Sequence, residues 1–282
     1  MSRGPDTSAT TAGRGLVSFV GAGPGAPDLL TLRGADRLAG ADIVIWASSL
    51  VPEALLGHAS PAATVLDSAE MTLEDVLAVY AGAPESRIVR LHSGDPSLYG
   101  AIQEQLDWCI AAERRFEIVP GVSALAAAAA VVGRELTIPG VSQSVILTRL
   151  AARTSASTGP GESVAALAAH GLTMGVFLSA ARPGALQEEL EASGAGYAPD
   201  TPACVVVRAT WPDQQIRWTT VSELAATLRE TGATTTVLVL VGNALSAAPR
   251  RSHLYDPGFA HAHRRRSLPG STQGRPAPRR RR

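Results

Sequence analysis

The chain has 282 residues, 45% of them hydrophobic and 4% aromatic, with 27 glycines, 19 prolines and two cysteines. That is material for two compact units of small, closely packed residues, and it excludes a disulfide-stapled secreted scaffold. The formal net charge of zero hides a split: every basic residue is Arg, and residues 1–249 carry 15 of them against 24 acids, a balance of −9, while 250–282 carry ten Arg and one acid. An acidic body argues against nucleic acid as its main partner.

Taken in order, the chain opens with a polar leader, residues 1–14, with no apolar core of the kind a signal peptide needs. Alternating strand and helix patterns then run to Pro120. Strands are expected at Leu16–Val20, Asp42–Trp46, Ala63–Leu66, Arg87–His92 and Phe116–Val119, and helices at Thr31–Ala39, Pro52–Gly57, Leu73–Tyr80 and Tyr99–Ala112. Most of the strands are short continuous apolar runs, which a sheet covered on both faces produces, so this part reads as a doubly wound, mostly parallel α/β domain over residues 15–136. Thr31 and Thr72 suit helix N-caps and Gly40 a helix stop.

An Ala-rich helix follows, Gly121 to Gly133, at the domain junction. Beyond it a second α/β domain, residues 137–249, is expected. Its strands are Gln143–Leu147, Met174–Leu178, Ala203–Arg208, Ile216–Thr219 and Thr236–Val241, and its helices Glu162–His170, Pro183–Ala192 and Ser222–Thr231. Trp211-Pro212-Asp213 between adjacent strands implies an antiparallel hairpin, hence a mixed sheet. Residues 250–282 form an Arg-rich tail with little to bury, expected to be largely disordered. The most apolar stretch, Ala124 to Val132, is about half the ~20 residues of a membrane span. Cys109 and Cys204 form no CxxC pair. A soluble, cytoplasmic protein with no membrane partner is expected.

Three turns at strand ends concentrate the chemistry. Gly21-Ala22-Gly23-Pro24-Gly25-Ala26-Pro27-Asp28 resembles a dinucleotide fingerprint at first sight. Pro24 and Pro27, however, remove N–H groups that a pyrophosphate cradle would use, and no acid follows Trp46 to hold a ribose. The second turn is His92-Ser93-Gly94-Asp95-Pro96, where Asp95 is either a helix N-cap or a group at the mouth of a crevice. The third is Pro120-Gly121-Val122-Ser123-Ala124, with Ser123 as the candidate cap. Three small-residue turns together can shape a crevice for an adenosyl-sized ligand through backbone contacts.

The stretches FVGAGPGAPDLLTLRGADRL, LHSGDPSLYGAIQEQ, PGVSALAAAAA, ELTIPGVSQSVILTRLAART and SHLYDPGFAHAHR resemble the tetrapyrrole methyltransferase family, and most of all its precorrin-4 C11-methyltransferase branch in cobalamin biosynthesis. The resemblance runs from Leu16 to Arg264. It implies two α/β domains with the methyl donor S-adenosylmethionine in the cleft between them, a homodimer, and methyl transfer to C11 of precorrin-4 or cobalt-precorrin-4. Carried over by motif, the donor site comprises Pro24, Ser93, Gly94, Asp95, Leu98, Ser123 and Ala124, joined from the second domain by Leu178, Ala209 and Thr235. The chain departs from the family pattern at Ala26, at Trp46-Ala47-Ser48-Ser49, at Gly140 and in the loop after Arg153.

Such a transfer needs no covalent nucleophile and no metal, and no single residue stands out as catalytic. A substrate bearing many carboxylates calls for cations, and Arg149, Arg153 and Arg182 are the candidates, with Ser49 and Tyr99 on the substrate face. His92 is either a proton acceptor or a structural histidine. His261 and His263 form an H-x-H without a third ligand, so no metal site is expected. Competing expectations are methylation of another tetrapyrrole carbon or of uroporphyrinogen III, a nicotinamide-dependent enzyme, and RNA binding through the Arg tail.

Overall fold

The structure, a computed structural model, describes residues 15–150, 159, 161–192, 196–248, 251–256 and 259. In the first half, β1 (Leu16–Gly21), β2 (Ile43–Trp46), β3 (Thr64–Asp67), β4 (Ile88–His92) and β5 (Arg115–Val119) form a five-stranded sheet in the order β3-β2-β4-β1-β5. Every pairing in it is parallel. The central strands are mostly apolar because both faces are covered, Ser18, Arg90 and His92 being the polar positions. Val17, Phe19 and Ile88 pack with Tyr80, Ile102 and Leu106 on one side. Val20, Val44 and Leu91 pack with Leu38 and Leu55 on the other.

The helix starts follow local chemistry. Thr31 caps α1 (Leu32–Ala39) by accepting the Gly34 N–H at 3.1 Å. Thr72 opens α2 (Leu73–Gly82) with a reciprocal capping box to Asp75. Two expectations need correction. The Pro52–Gly57 helix is a 3₁₀ segment, Glu53–His58. The helix expected from Tyr99 begins only at α3 (Gln103–Ala111), because Tyr99 and Ala101 sit at φ of 57° and 47°, outside any right-handed helix.

In the second half, β6 (Val145–Arg149), β7 (Thr173–Phe177), β8 (Pro202–Val207), β9 (Gln215–Thr220) and β10 (Val237–Val241) form a mixed sheet in the order β6-β7-β10-β8-β9. β6 and β7 are parallel and the remaining pairs antiparallel, with β8 and β9 joined as the expected hairpin. Residues 138–144 do not extend β6: Ile138 and Ser142 close a tight turn around Gly140, at φ 71°. The Thr173 N–H pins that turn by donating to Ser142 Oγ at 3.1 Å.

One helix crosses between the sheets. α4 (Ala124–Val131) leaves the end of β5, capped by Ser123 Oγ, which accepts the Leu125 N–H. It lies on the second sheet, where Leu125 and Ala128 pack with Cys204, Val206, Leu238 and Leu240. The approach is close: a Cβ on Gly175 would come within 2.7 Å of Leu125 Cδ1. α5 (Val164–Ala168), α6 (Pro183–Glu191) and α7 (Leu224–Glu230) cover the opposite face through Val164, Leu186, Leu190, Leu224 and Leu228. Each fully buried leucine there contributes about 1.5–3 kcal/mol. Among the described residues, no helix is long and apolar enough to cross a membrane.

Candidate functional site

Because β1, β4 and β5 are parallel neighbours, the loops that follow them emerge side by side at one edge of the sheet. Glycine lets them touch. Gly94 N–H donates to Gly23 O at 2.8 Å and Gly23 N–H returns to Gly94 O at 3.2 Å, with the two residues at φ 65° and 78°. Gly21 and Gly121 pack main chain on main chain: a Cβ on Gly21 would lie 2.6 Å from Gly121 Cα and 2.7 Å from Gly94 O.

Asp95 joins the third loop to the second. Its carboxylate accepts the Gly121 N–H at 2.9 Å, the Ser97 N–H at 2.9 Å and the Ser97 hydroxyl. It caps no helix, since α3 starts at Gln103. Burial works against its charge, but the Ser97 and Gly121 donors outweigh it and hold the carboxyl below its usual range.

The same bonds dispose of a pyrophosphate cradle. Ala22 N–H is spent on His92 O, Gly23 N–H on Gly94 O and Ala26 N–H on Thr210 Oγ1. Pro24 and Pro27 have none to offer.

On the other sheet, β10 runs antiparallel to β7 and β8, so its start lies beside their ends. The chain leaves those strands at Leu178 (φ 51°) and Arg208 (φ 47°) and enters β10 through Thr236 (φ 55°). The strands expected to include Leu178, Arg208 and Thr236 therefore stop short of them, since a left-handed residue cannot continue a ladder.

Between the two sets of strand ends lies a cavity of about 300 Å³. Pro24, Ser93, Gly94, Asp95, Leu98, Ser123 and Ala124 line it from the first sheet, and Leu178, Ala209 and Thr235 from the second. Every residue placed at the donor site by motif thus borders one space. Leu50, Tyr99, Phe177, Ser179, Ala180, Val206, Thr234, Thr236, Val237 and Leu238 complete it. Motif reasoning places Thr234 and Thr236 beside the donor site and Tyr99 on the substrate face, but it passes over the others because strand ends carry no mark that separates lining from core. Asp95 is the one charged side chain on the lining among the described residues.

The substrate candidates scatter. Tyr99 lines the cavity at 44% exposure, its ring 5.2 Å from that of Phe177. Burial raises the Tyr99 hydroxyl's pKa, and the charges of Arg149 and Glu162 act on it in opposite senses. Arg149, at the end of β6, thus shares the Tyr99 side of the site. Ser49 stands on an exposed turn beside the lining residue Leu50. Arg182 is exposed at the start of α6 and does not line the cavity. Arg153, His261 and His263 lie outside the described residues.

Of the two readings of His92, the geometry favours the structural one. The residue is 7% exposed, does not line the cavity, and its Nε2 has no partner among the described residues. Burial, with the Arg90 charge, pushes its pKa down to about 3, so the ring is neutral and structural. Both thiols are free and buried, with Cys109 pushed up to about 11 and Cys204 to about 12. The lining therefore offers hydroxyls, main chain, one braced carboxylate and apolar surface. Such a site aligns reactants in a dry space and does not attack them.

The profile of the family described as Tetrapyrrole (Corrin/Porphyrin) Methylases matches residues 16–225. A precorrin-4 C(11)-methyltransferase of Mycobacterium tuberculosis is 43% identical over 82% of this chain and 92% of its own length. A cobalt-precorrin-4 C(11)-methyltransferase of Priestia megaterium is 41% identical over 88% of this chain and 96% of its own. Among solved structures, a cobalt precorrin-4 methyltransferase superposes with a TM-score of 0.77 at 40% identity, covering 82% of this chain and 95% of that one. A uroporphyrin-III C-methyltransferase of Thermus thermophilus, complexed with S-adenosylhomocysteine, superposes with a TM-score of 0.67 at 26% identity, covering 82% and 93%.

Proposed function

From the premise that the chain belongs to the tetrapyrrole (corrin/porphyrin) methylases, we propose that it transfers a methyl group from S-adenosylmethionine to C11 of precorrin-4, with or without cobalt, in cobalamin biosynthesis. The observation that carries the donor assignment is the cavity. Residues drawn from separate motifs on two sheets surround one space, and among the described residues its single charged lining group is a carboxylate. Bound there, S-adenosylmethionine supplies an electrophilic methyl on a sulfonium.

The chain's own residues supply the rest. Pro24, Ser93, Gly94 and Asp95 form a backbone wall whose carboxylate suits a cation, while Leu178, Ala209 and Thr235 close the other side. Phe177, Val206, Val237 and Leu238 exclude water, which strengthens every electrostatic contact inside. Alignment of this kind contributes roughly 7–11 kcal/mol in favourable cases. Tyr99 and Leu50 border the mouth on the substrate side, with Arg149, whose charge acts on Tyr99, as the carboxylate contact. Ser49, Arg153 and Arg182 belong to the same proposal as further substrate contacts. The reading extends to a homodimer in the cytoplasm with domains at residues 15–136 and 137–249, α4 being the piece of the first that packs on the second.

Purified protein given ¹³C-methyl S-adenosylmethionine and precorrin-4 should yield a product one methyl heavier, with the label located at C11 by NMR. Absence of transfer to intact substrate would sink the proposal. Label at another carbon, or methylation of uroporphyrinogen III in preference, would replace C11 by a different step of the same family.

A further inference from the structure

The tip of the β8–β9 hairpin reaches over to the first glycine loop and grips it in two places. Trp211 Nε1 donates to the Pro24 carbonyl at 2.9 Å. Ala26 N–H donates to Thr210 Oγ1, also at 2.9 Å. Between these bonds, Gly25 lies so close against the indole that any Cβ there would penetrate the ring.

The tip is stiff enough to serve as an anchor. Thr210 N–H donates to Gln214 Oε1 at 2.7 Å, and Gln214 N–H donates to the Trp211 carbonyl at 3.1 Å. The Arg208 guanidinium stands 5.1 Å from the indole centroid and pairs with Asp213 at 2.5 Å. Thr210 keeps its place at φ 70°, a strained setting for a β-branched residue that persists only where its surroundings over-determine it.

Pro24 and Ala209 line the cavity from opposite sheets, and each is a clasp residue or the neighbour of one. The clasp therefore sets the spacing of the two walls. It also engages the carbonyl of a lining residue, since Pro24 borders the cavity and Trp211 does not.

We propose that Thr210 and Trp211 are positioning residues that hold the donor pocket at its working width by tying the Gly23–Ala26 loop to the second sheet, without touching the donor. This rests on the donor reading given above. Two backbone groups of one loop, both bonded to side chains of the other sheet, are otherwise unexplained by the needs of a hairpin turn.

The test uses Thr210→Val, which keeps the shape and deletes the acceptor, Thr210→Ser, which keeps the hydroxyl, and Trp211→Phe, which keeps an aromatic ring without the N–H. S-Adenosylhomocysteine affinity by calorimetry, KM for S-adenosylmethionine, kcat and Tm are measured for each. Thr210→Val and Trp211→Phe should each weaken S-adenosylhomocysteine and raise KM by about five- to tenfold, the worth of one hydrogen bond, with kcat within about twofold. Their Tm should stay within about 2 °C of wild type, and Thr210→Ser should restore the affinity. The double variant should lose less than the product of the two, because both bonds restrain one loop. Variants that melt earlier yet bind S-adenosylhomocysteine as wild type does would reduce the clasp to scaffolding and overturn the proposal. Amide exchange at Ala26 in ligand-free protein separates the two readings. It should accelerate at least about tenfold in Thr210→Val and not in Thr210→Ser, whatever the donor is. Wild-type protein that fails to bind S-adenosylhomocysteine would overturn the donor reading, while unchanged Ala26 exchange in Thr210→Val would overturn the clasp.

Discussion

On the N-terminal wall of the cavity the left-handed turns fall on Gly23 (φ 78°) and Gly94 (φ 65°), whereas on the C-terminal side they fall on Leu178 (51°), Arg208 (47°), Thr210 (70°) and Thr236 (55°). Glycine adopts that region without penalty and leaves no side chain, so the first wall is main chain packed on main chain. An ordinary residue there is strained by roughly 1–2 kcal/mol and keeps its side chain. The second wall accepts that strain and is lined by side chains. Tyr99 (57°) is the exception on the first sheet, left-handed with a side chain that lines the cavity. One wall brings backbones into contact, and the other aims side chains from strand ends.

The largest effect should come from filling the main-chain wall. A Cβ at Gly121 would run into Gly94 O and reach 2.7 Å from Gly21 Cα, both backbone and unable to swing aside. Gly121→Val should lower stability by about 3 kcal/mol or more and weaken S-adenosylhomocysteine by over about 100-fold, read by urea melts and calorimetry. Gly94→Ala is the control: the nearest atom to its Cβ would be 3.5 Å away, so only the φ of 65° opposes it. Its loss should be about 1–2 kcal/mol. If Gly121→Val melts no lower than Gly94→Ala, the loops are held apart and the wall is not built of touching backbones.

The contrast also explains which parts could be read before the fold was known. Strand positions were legible to within a few residues because buried parallel strands are continuous apolar runs, and Thr31 and Thr72 announced their helices by capping chemistry. The first wall was legible because Gly and Pro punctuate it. On the second wall, Leu178, Ala209 and Thr235 came only through family resemblance, and Phe177, Ser179 and Val206 not at all, since a strained Leu or Arg looks like any strand residue. The late start of α3 was hidden for the same reason, with left-handed Tyr99 and Ala101 inside a helical pattern. The grip of Trp211 on Pro24 spans 187 residues of chain, beyond any local signal.

A smaller effect tests the underside of the first wall, where His92 ends β4. Its folded pKa of about 3 lies below the unfolded value near 6.5, so the unfolded chain binds the proton first. The stability that neutral His92 contributes is fully present above pH 6.5 and is lost as pH falls from there toward 3. By pH 5.5 the loss should be about 1.4 kcal/mol relative to pH 8. Urea melts of His92→Gln should lack that share of the acid decline, while its kcat at pH 8 stays within about twofold of wild type. A rate inflection near neutral pH that disappears in His92→Gln would restore the ring to the chemistry and make the first wall more than backbone.

The smallest expected effect asks whether the strain of the second wall is placed there for its side chains. Leu178 is 66% exposed, so its side chain contributes little to the core, and its φ of 51° is a strain that glycine would remove. Glycine also gives the unfolded chain more freedom, which offsets about 0.5–1 kcal/mol of that relief. Leu178→Gly should therefore leave stability unchanged or raise it by up to about 1 kcal/mol, the opposite sign to Gly94→Ala at the matching turn. Affinity should move the other way, with S-adenosylhomocysteine weakened about threefold as one lining side chain is lost. A variant that is destabilised by more than about 1 kcal/mol would mean that Leu178 is held by packing the fold requires. One that is more stable and binds as tightly would mean that the left-handed turn, and not the leucine on it, is what the second wall contributes.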